Sequence, residues 1–192
     1  SVKCRIGLGE KQNYLFLKKF ISYVSKNGCN KFYIHARNAV LSKLNPKKNR
    51  TIPTLNYKFV YKIKKDFPHL EIIINGGIDN IVSIQNHLKF VDGVMIGREI
   101  YKNPFFLKEI EEKIFNNKVK TTRKEILEKL VPYIENEIKE NQTSIQCITR
   151  HIFGLYTGMK GSKNWKRYLN KIKFMKGNVK DIILNGVANI NE

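Results

Sequence analysis

The hydrophobic pattern of the first hundred residues alternates between two periods, one typical of strands and one typical of helices. Short apolar runs predict four strands, within the segments VKCRIG, KFYIHAR, EIIING and DGVMIG. Helical spacing predicts three helices between them, through NYLFLKKFISYVSKNGC, LNYKFVYKIKKDF and IVSIQNHLKF. Strands that alternate with helices in this way imply parallel βαβ units with right-handed crossovers, and therefore an α/β fold.

Two α/β architectures accommodate these units, an open flavodoxin-like sheet and a TIM (β/α)8 barrel. The last two predicted strands both end on glycine, at Gly76–Gly77 and at Gly97. Barrels typically build a phosphate site from the loops after their last two strands, so this pattern favours the barrel. A closed barrel needs eight strands, so the chain corresponds to its C-terminal half, unless the sheet is open and the barrel interpretation is wrong.

From about Pro104 onward the pattern is helical only. A capping box of Thr122 and Glu125 opens a helix with an apolar stripe and a kink expected at Pro132. Three further helices are predicted, through IQCITRHIFGLYTGM, SKNWKRYLNKIKFM and VKDIILNGVANI. The sequence therefore predicts a half-barrel over residues 1–105 and a small all-α helical bundle over 106–192.

The net charge of +20 favours a polyanionic partner such as nucleic acid. Lysine-rich surfaces also arise by drift in AT-rich genomes, so the charge alone leaves RNA binding and scattered surface lysines about equally supported. No apolar stretch approaches the roughly 18 residues of a membrane span, and no signal segment opens the chain, which predicts a cytoplasmic protein without a membrane partner.

The cysteines Cys4, Cys29 and Cys147 lie far apart and lack the spacing of a zinc site or a disulfide framework. We expect reduced, buried thiols and no metal.

The glycine-ended strands suggest that an anion approaches the backbone. Asn75, Gly76 and Gly77 end one strand, and Gly97 and Arg98 end the next. Glycine lets backbone N–H groups reach a phosphate, and arginine adds a charge-assisted pair of hydrogen bonds. A glycine pair alone is better explained as a tight turn, but two glycine ends with an arginine favour phosphate.

Two earlier strands also carry polar residues. Lys3 lies within an apolar strand, where an unpaired ammonium would be costly, so an anionic partner is expected at the upper end of that strand. His35 lies in the next strand. A lone strand histidine is more often structural, but with Lys3 and the glycines it would be one of four polar contributions to one edge of the sheet.

Basic residues concentrate in two places. The segment NAVLSKLNPKKNRTIP, longer than usual for a βα loop, carries Lys43, Lys47, Lys48 and Arg50. In the SKNWKRYLNK helix, helical spacing places one basic and polar group opposite an apolar face, namely Lys163, Lys166, Arg167 and Asn170. The matching charge of loop and helix favours binding to a phosphodiester backbone over a merely solvated surface.

These segments, above all VKCRIG, FYIHARNAVLSKLNPKKNR, DFPHLEIIINGGI, DGVMIGREIYKNP and ITRHIFGLYTGMKGSKNWKR, resemble the A-type tRNA-dihydrouridine synthases through almost the whole chain. The resemblance implies a flavin-binding TIM barrel followed by a helical tRNA-recognition domain. It also implies the reduction of uridines in the tRNA D-loop by FMN, with NADPH as the electron donor.

The resemblance assigns residues to both ligands. It implies FMN contacts from Lys3, His35, Asn75, Gly76, Gly77, Gly97 and Arg98. It implies tRNA contacts from Lys47 and Arg50, and from Lys163 and Lys166, where arginine is expected. Lys3 would stabilise negative charge on the reduced flavin ring.

The barrel half that carries the family's proton-donating cysteine has no counterpart here, and no cysteine of this chain matches its motif. No catalytic residue is therefore assigned, and the missing half is expected to be required. The alternatives are a non-catalytic RNA-binding remnant and, less favoured because it leaves the basic segments unexplained, a phosphosugar enzyme.

Overall fold

The computed structural model describes residues 1–41, 44–187 and 190, so Lys43 of the basic segment lies outside the described residues. The chain divides into two compact units, Ser1–Gly97 and Arg98–Glu192. The domain division after residue 105 stays a prediction. Within the described parts of the chain, no helix is both long and apolar enough to cross a membrane.

The first unit is built around a parallel sheet with the predicted alternation of strands and helices. Its described strands are paired in chain order, β1 with β2, β2 with β3 and β3 with β4. The strands are β1 Val2–Leu8, β2 Lys31–Ala39, β3 Glu71–Asn75 and β4 Gly93–Met95. The helices are α1 Tyr14–Lys26, α2 Tyr57–Asp66 and α3 Ile81–Leu88.

The two faces of the sheet differ in polarity. Strand residues of alternate positions are fully buried on one face, as Ile6, Phe32, Ile34, Ile72 and Ile74 are, together with the inner residues of the helices. This face is the hydrophobic core, because the apolar positions of helix and strand coincide there. The other face carries Lys3, Tyr33, His35 and Asn75, all exposed or half-buried.

Each helix of this unit begins with the same short-range device. Asn13, Asn56 and Asn80 precede α1, α2 and α3, and each side chain accepts a hydrogen bond from the backbone N–H three residues later. An N-cap of this kind satisfies one of the donors that a helix start leaves unpaired. The start of each of these helices is therefore determined by residues within three positions of each other in the sequence.

Asp92 joins three elements at the amino ends of the last strands. Its carboxylate accepts a hydrogen bond from Ile72 N at 2.8 Å and forms an ion pair with Lys64 of α2 at 2.8 Å. Partial burial alone would raise the pKa of Asp92, but the Ile72 N–H and the Lys64 ammonium outweigh burial and hold the pKa below its ordinary value of 3.8. The ionised form therefore stabilises the fold.

We expect Asp92→Asn to lower the free energy of unfolding at pH 7 by about 1 kcal/mol, a value kept small because the side chain is 34% exposed. Because folding lowers the pKa of Asp92, the stability difference between wild type and variant should have its full size above pH 3.8. This difference in the free energy of unfolding should disappear as the pH falls through the pKa of Asp92 in the folded protein. Denaturant unfolding at several pH values measures it. Asp79→Asn is the matched control, and an equal pH response in both variants would contradict the assignment.

The second unit is helical in its described residues. It contains α4 Arg98–Lys102, α5 Phe106–Lys113, α6 Arg123–Asn141, α7 Ile145–Thr149, α8 Ser162–Lys171 and α9 Val179–Asn185. The capping box of Thr122 and Glu125 is present at the start of α6, and the helix runs on through Pro132. Its core gathers residues from four segments, namely Leu127, Val131, Ile134, Leu155, Tyr156, Trp165, Leu169, Ile172, Ile182 and Ile183.

The predicted helix over residues 145–159 is wrong in its second half. Helix α7 ends at Thr149 and passes through a 3₁₀ turn, Arg150–Ile152, into irregular turns. The chain in this irregular stretch comes close to other backbone, since a Cβ on Gly154 would lie 2.0 Å from the carbonyl oxygen of Lys102. Gly158, with φ of +85°, then adopts a left-handed conformation that interrupts any helix.

Other boundaries also differ. The predicted helix after residue 179 ends at Asn185, and positions 188 and 189 of that prediction lie outside the described residues. The SKNWKRYLNKIKFM helix ends at Lys171 and continues as a 3₁₀ turn. Helices α4 and α5 were not predicted.

The expectation of buried cysteines is wrong. Cys147 is exposed, and Cys4 and Cys29 are half-buried, all three as free thiols. Burial nevertheless raises the pKa of Cys4 to about 11, so its reactive thiolate is scarce at neutral pH.

Candidate phosphate turn and basic loop

A glycine turn follows β3 at the carboxyl edge of the sheet. Gly76 and Gly77 have φ values of +120° and +70°, which favour glycine. A Cβ on Gly76 would lie 2.7 Å from the His35 ring and 2.9 Å from Leu55, so this position also needs glycine for packing. Gly76 is buried, whereas Gly77 is exposed and can present its backbone to a ligand.

Four of the predicted site residues meet at this turn. His35 pairs with Asn75 in the register of β2 and β3, and the His35 ring packs on Gly76. The Asn75 side chain donates a hydrogen bond to the carbonyl oxygen of Met95 at 2.8 Å and so ties β3 to β4. His35, Asn75, Gly76 and Gly77 therefore form one cluster, which we call the glycine turn cluster.

Gly97 is a different kind of glycine. It is exposed, its φ lies outside the left-handed region, and an added Cβ would meet no atom within 4 Å. Neither strain nor packing among the described residues requires glycine there, which leaves room for an outside group to approach. Arg98 begins α4 in the second compact unit and is exposed.

The expected environment of Lys3 is wrong. Lys3 is exposed rather than enclosed in apolar surroundings, and it pairs with Tyr33 near the amino end of β1, not at its carboxyl end. The argument from the cost of an unpaired buried ammonium therefore does not apply. Arg5, two residues later, is the β1 residue that pairs with His35.

Arg5 lies beside the candidate site, and the sequence prediction did not include it. Its guanidinium donates from Nη1 to the carbonyl oxygens of Asn38 and Asn49, each at 2.9 Å. Burial and the neighbouring positive charge of Arg50 both lower the pKa of Arg5. Two guanidinium groups in mutual repulsion make a local positive potential that an anion would relieve. The alternation in VKCRIG, which puts Arg5 on the face of Lys3, could have indicated it.

The described part of the basic segment, residues 44–53, is held by a buried asparagine, and we call it the basic loop. Asn49 is only 6% exposed, and its amide accepts from Val40 N and donates to the carbonyl oxygens of Val40 and Leu44, each at 2.8 Å. These three hydrogen bonds between the Asn49 side chain and the backbone give the basic loop a defined structure.

A second buried side chain supports the same loop. Arg37, 8% exposed, donates to the carbonyl oxygens of Thr51 and Pro53. Lys47, Lys48 and Arg50 remain exposed on or beside a 3₁₀ turn, Lys48–Arg50. Neither Asn49 nor Arg37 was predicted, since their partners become neighbours only in the folded loop.

A cleft of about 580 Å³ lies beside the basic loop, a volume within the range of small-molecule sites. Its lining includes Gly9, Glu10, Gln12, Asn38 and Thr54. Several of these polar groups hold the loops to each other, since Asn38 donates to the carbonyl oxygens of Gly9 and Lys11, and Gln12 donates to Thr54. The cleft is thus a preformed recess between ordered loops.

The basic face of α8 has the predicted composition. Lys163 and Lys166 are exposed, whereas Trp165 and Leu169 are fully buried on the other face. The Trp165 indole donates to the carbonyl oxygen of Ile152 at 3.0 Å, which fixes the rotation of the helix. The described residues contain no group of three or more His, Cys, Asp or Glu side chains that could hold a metal ion.

The described residues thus form a parallel α/β sheet with a glycine turn at the carboxyl edge of β3 and an ordered basic loop after β2, which is an arrangement of the α/β class. The dihydrouridine synthase (Dus) family matches residues 1–189, and the chain belongs to that family. This confirms the resemblance derived from the sequence. The family comprises the tRNA-dihydrouridine synthases, which are oxidoreductases.

The chain is similar to several proteins named tRNA-dihydrouridine(20/20a) synthase. It is 41% identical to that of Vibrio cholerae over 99% of this chain and 58% of the relative. It is 44% identical to that of Pasteurella multocida over 89% of this chain and 52% of the relative, and 44% identical to that of Salmonella typhi over 89% and 52%. The chain thus spans only a little over half the length of these relatives.

Proposed function

We propose that the protein acts in the cytoplasm, as part of a longer enzyme, in the FMN-dependent reduction of uridine to 5,6-dihydrouridine in the D-loop of tRNA, with NADPH as the electron donor. Membership of the Dus family is the single observation that carries this proposal. The glycine turn cluster and the basic loop support it, because one suits a flavin phosphate and the other an RNA backbone.

The residues of this chain fit the phosphate end of FMN. The exposed backbone of Gly77 and the open space around Gly97 let a phosphate approach N–H donors closely, and Arg98 would add a charge. Asn75 keeps the two strand ends together through its bond to Met95. These residues would hold the phosphate by backbone geometry and charge.

The polar face of the sheet fits the flavin ring. His35 is half-buried beside the glycine turn, and Lys3 is exposed on the same face of the sheet. When bound, the flavin supplies the hydride for the uracil ring. His35 would orient the ring by contact, and Lys3 would favour the electron-rich state of the ring by its positive charge.

The architecture that suits this role is the C-terminal half of a TIM barrel followed by a helical tRNA-recognition bundle. In the described sheet β1 and β4 each pair with one strand, so each leaves an edge that a closed barrel would pair. The match covers 58% of the Vibrio cholerae relative, so the remaining 42% of its length accommodates the other half. That half would carry the proton-donating cysteine.

A non-catalytic RNA-binding remnant is the second candidate, because the exposed cations of the basic loop and of α8 would serve it equally well. The two candidates differ in what is encoded immediately upstream. An in-frame segment with four more strands and a cysteine supports the enzyme, and its absence supports the remnant.

Replacing Lys47 and Arg50 together by alanine should weaken tRNA binding and flatten its salt dependence, because each lost phosphate contact removes released counterions. The slope of log affinity against log salt should fall in magnitude by about 1 to 2. Filter binding or fluorescence anisotropy between low and moderate salt measures the slope.

Lys19 and Lys26, exposed on α1, provide the matched control. The double variant Lys19→Ala with Lys26→Ala removes the same charge from another surface, and its slope should stay close to that of the wild type. Equal changes in both double variants would show that net charge, not the basic loop, binds tRNA.

A further inference from the structure

We propose that Tyr57 is a positioning residue for the phosphate, which acts by orienting the backbone N–H of Gly77. The inference rests on the proposed function, because it deepens the role of the glycine turn. Tyr57 is the first residue of α2, and its hydroxyl donates a hydrogen bond to the carbonyl oxygen of Gly76 at 2.8 Å.

Because of the geometry of the peptide bond, this hydrogen bond also orients a donor, the backbone N–H of Gly77. The carbonyl of Gly76 and the N–H of Gly77 belong to one planar trans peptide, so they point in opposite directions. A hydroxyl that fixes the carbonyl therefore fixes the N–H on the other side of the same plane. Between two glycines this plane would otherwise rotate easily, because neither residue has a Cβ to restrict it.

The surroundings of the turn decide which side stays open. A Cβ on Gly77 would lie 2.8 Å from Leu55 Cδ1 and 3.2 Å from the Tyr57 hydroxyl oxygen, so these side chains cover one side. Gly77 is nevertheless exposed, although Leu55 and Tyr57 lie on the side where its Cβ would be. The Gly77 N–H points away from the Tyr57 hydroxyl, and a phosphate would approach it from the side opposite Leu55 and Tyr57.

Tyr57 is itself held firmly enough to act in this way. Its ring lies edge-on to the ring of His87, with the centroids 4.4 Å apart, and His87 is only 4% exposed. The Nδ1 atom of His87 is hydrogen-bonded to the Tyr61 hydroxyl at 2.7 Å. Two aromatic residues of α2 and one histidine of α3 thus form a rigid support behind the glycine turn.

The start of α2 is also fixed to the sheet. Asn56 N donates to the carbonyl oxygen of Ala36 in β2, and the Asn56 side chain caps the helix by accepting from Phe59 N. The position of Tyr57 relative to β3 is therefore set by backbone contacts. Through its hydrogen bond, the Tyr57 hydroxyl then fixes the Gly76 carbonyl relative to α2.

The test is Tyr57→Phe in the protein at its natural length, which removes the hydroxyl and keeps the ring. Affinities for FMN and for riboflavin, which lacks the phosphate, are measured by quenching of flavin fluorescence. We expect FMN to bind about ten-fold more weakly, because the hydrogen bond from the Gly77 N–H to the charged phosphate would be weakened or lost. The affinity for riboflavin should stay unchanged. The ratio of the two affinities separates positioning of the phosphate from general loss of structure.

Tyr168→Phe is the matched control, since it also removes a hydroxyl that donates to a backbone carbonyl oxygen, that of Ile182 at 2.6 Å, in the helical unit rather than at the turn. Its preference for FMN over riboflavin should equal that of the wild type. If Tyr57→Phe keeps the wild-type preference, or loses affinity for both flavins equally, the positioning role is overturned while the proposed function stands. If the wild type binds both flavins equally, the phosphate site itself is wrong, and the inference fails with it.

Discussion

The 192-residue chain, purified and supplied with FMN and NADPH, is expected to leave tRNA uridines unreduced. The described sheet has four strands, so a flavin held at its carboxyl edge would have half of a barrel pocket around it. The proposed function places the proton-donating cysteine in the other half of the barrel, so Cys4, Cys29 and Cys147 are not expected to replace it. Loss of a positioned proton donor alone costs about 10² to 10⁴ in rate, and an incomplete pocket adds to that loss.

Mass spectrometry of tRNA digests, with dihydrouridine as the analyte, measures this directly. The full-length Vibrio cholerae relative is the positive control, and circular dichroism shows whether the tested chain is folded. Activity should appear when the preceding part of that relative is supplied as a separate chain. Clear turnover by the 192-residue chain alone would contradict the expectation and would mean that another residue donates the proton.

Asn49→Ala is expected to have the largest effect on the basic loop. The change leaves the N–H and carbonyl of Val40 and the carbonyl of Leu44 without the partner that they have in the native loop. Because Asn49 is 6% exposed, water cannot replace these bonds without opening the loop. We expect the free energy of unfolding to fall by about 3 kcal/mol, and tRNA affinity to fall about ten-fold as the exposed cations lose their fixed positions.

Asn45→Ala is the matched control. Asn45 lies in the same loop, but it is exposed, and its side chain accepts one hydrogen bond from Lys48 N. Loss of this one hydrogen bond should lower the free energy of unfolding by about 0.5 to 1 kcal/mol and should change the affinity for tRNA little. Denaturant unfolding and anisotropy titration of both variants decide the matter. Comparable losses in the two variants would refute the role of the buried asparagine as the clamp of the loop.

Much of the candidate site follows from the sequence because it depends on where strands end. The glycine turn after β3 and the pairing of His35 with Asn75 follow from parallel strands whose carboxyl ends meet at one edge. The environment of Lys3 does not follow in this way. Its sequence neighbours are apolar, but its exposure depends on which face of the sheet the helices cover.

The sequence by itself determined the four parallel strands, the three helices between them and the capping box of α6, because periodicity and caps act over a few residues. Only the tertiary structure decided the clamp at Asn49, the bond from Tyr57 to Gly76 and the end of α7 before Gly154. The Asn49 side chain bonds residues nine and five positions away across an irregular loop, and Tyr57 and Gly76 are 19 residues apart. These contacts depend on the path of the folded chain, because a polar side chain can bond any backbone N–H or carbonyl group that packing brings close to it.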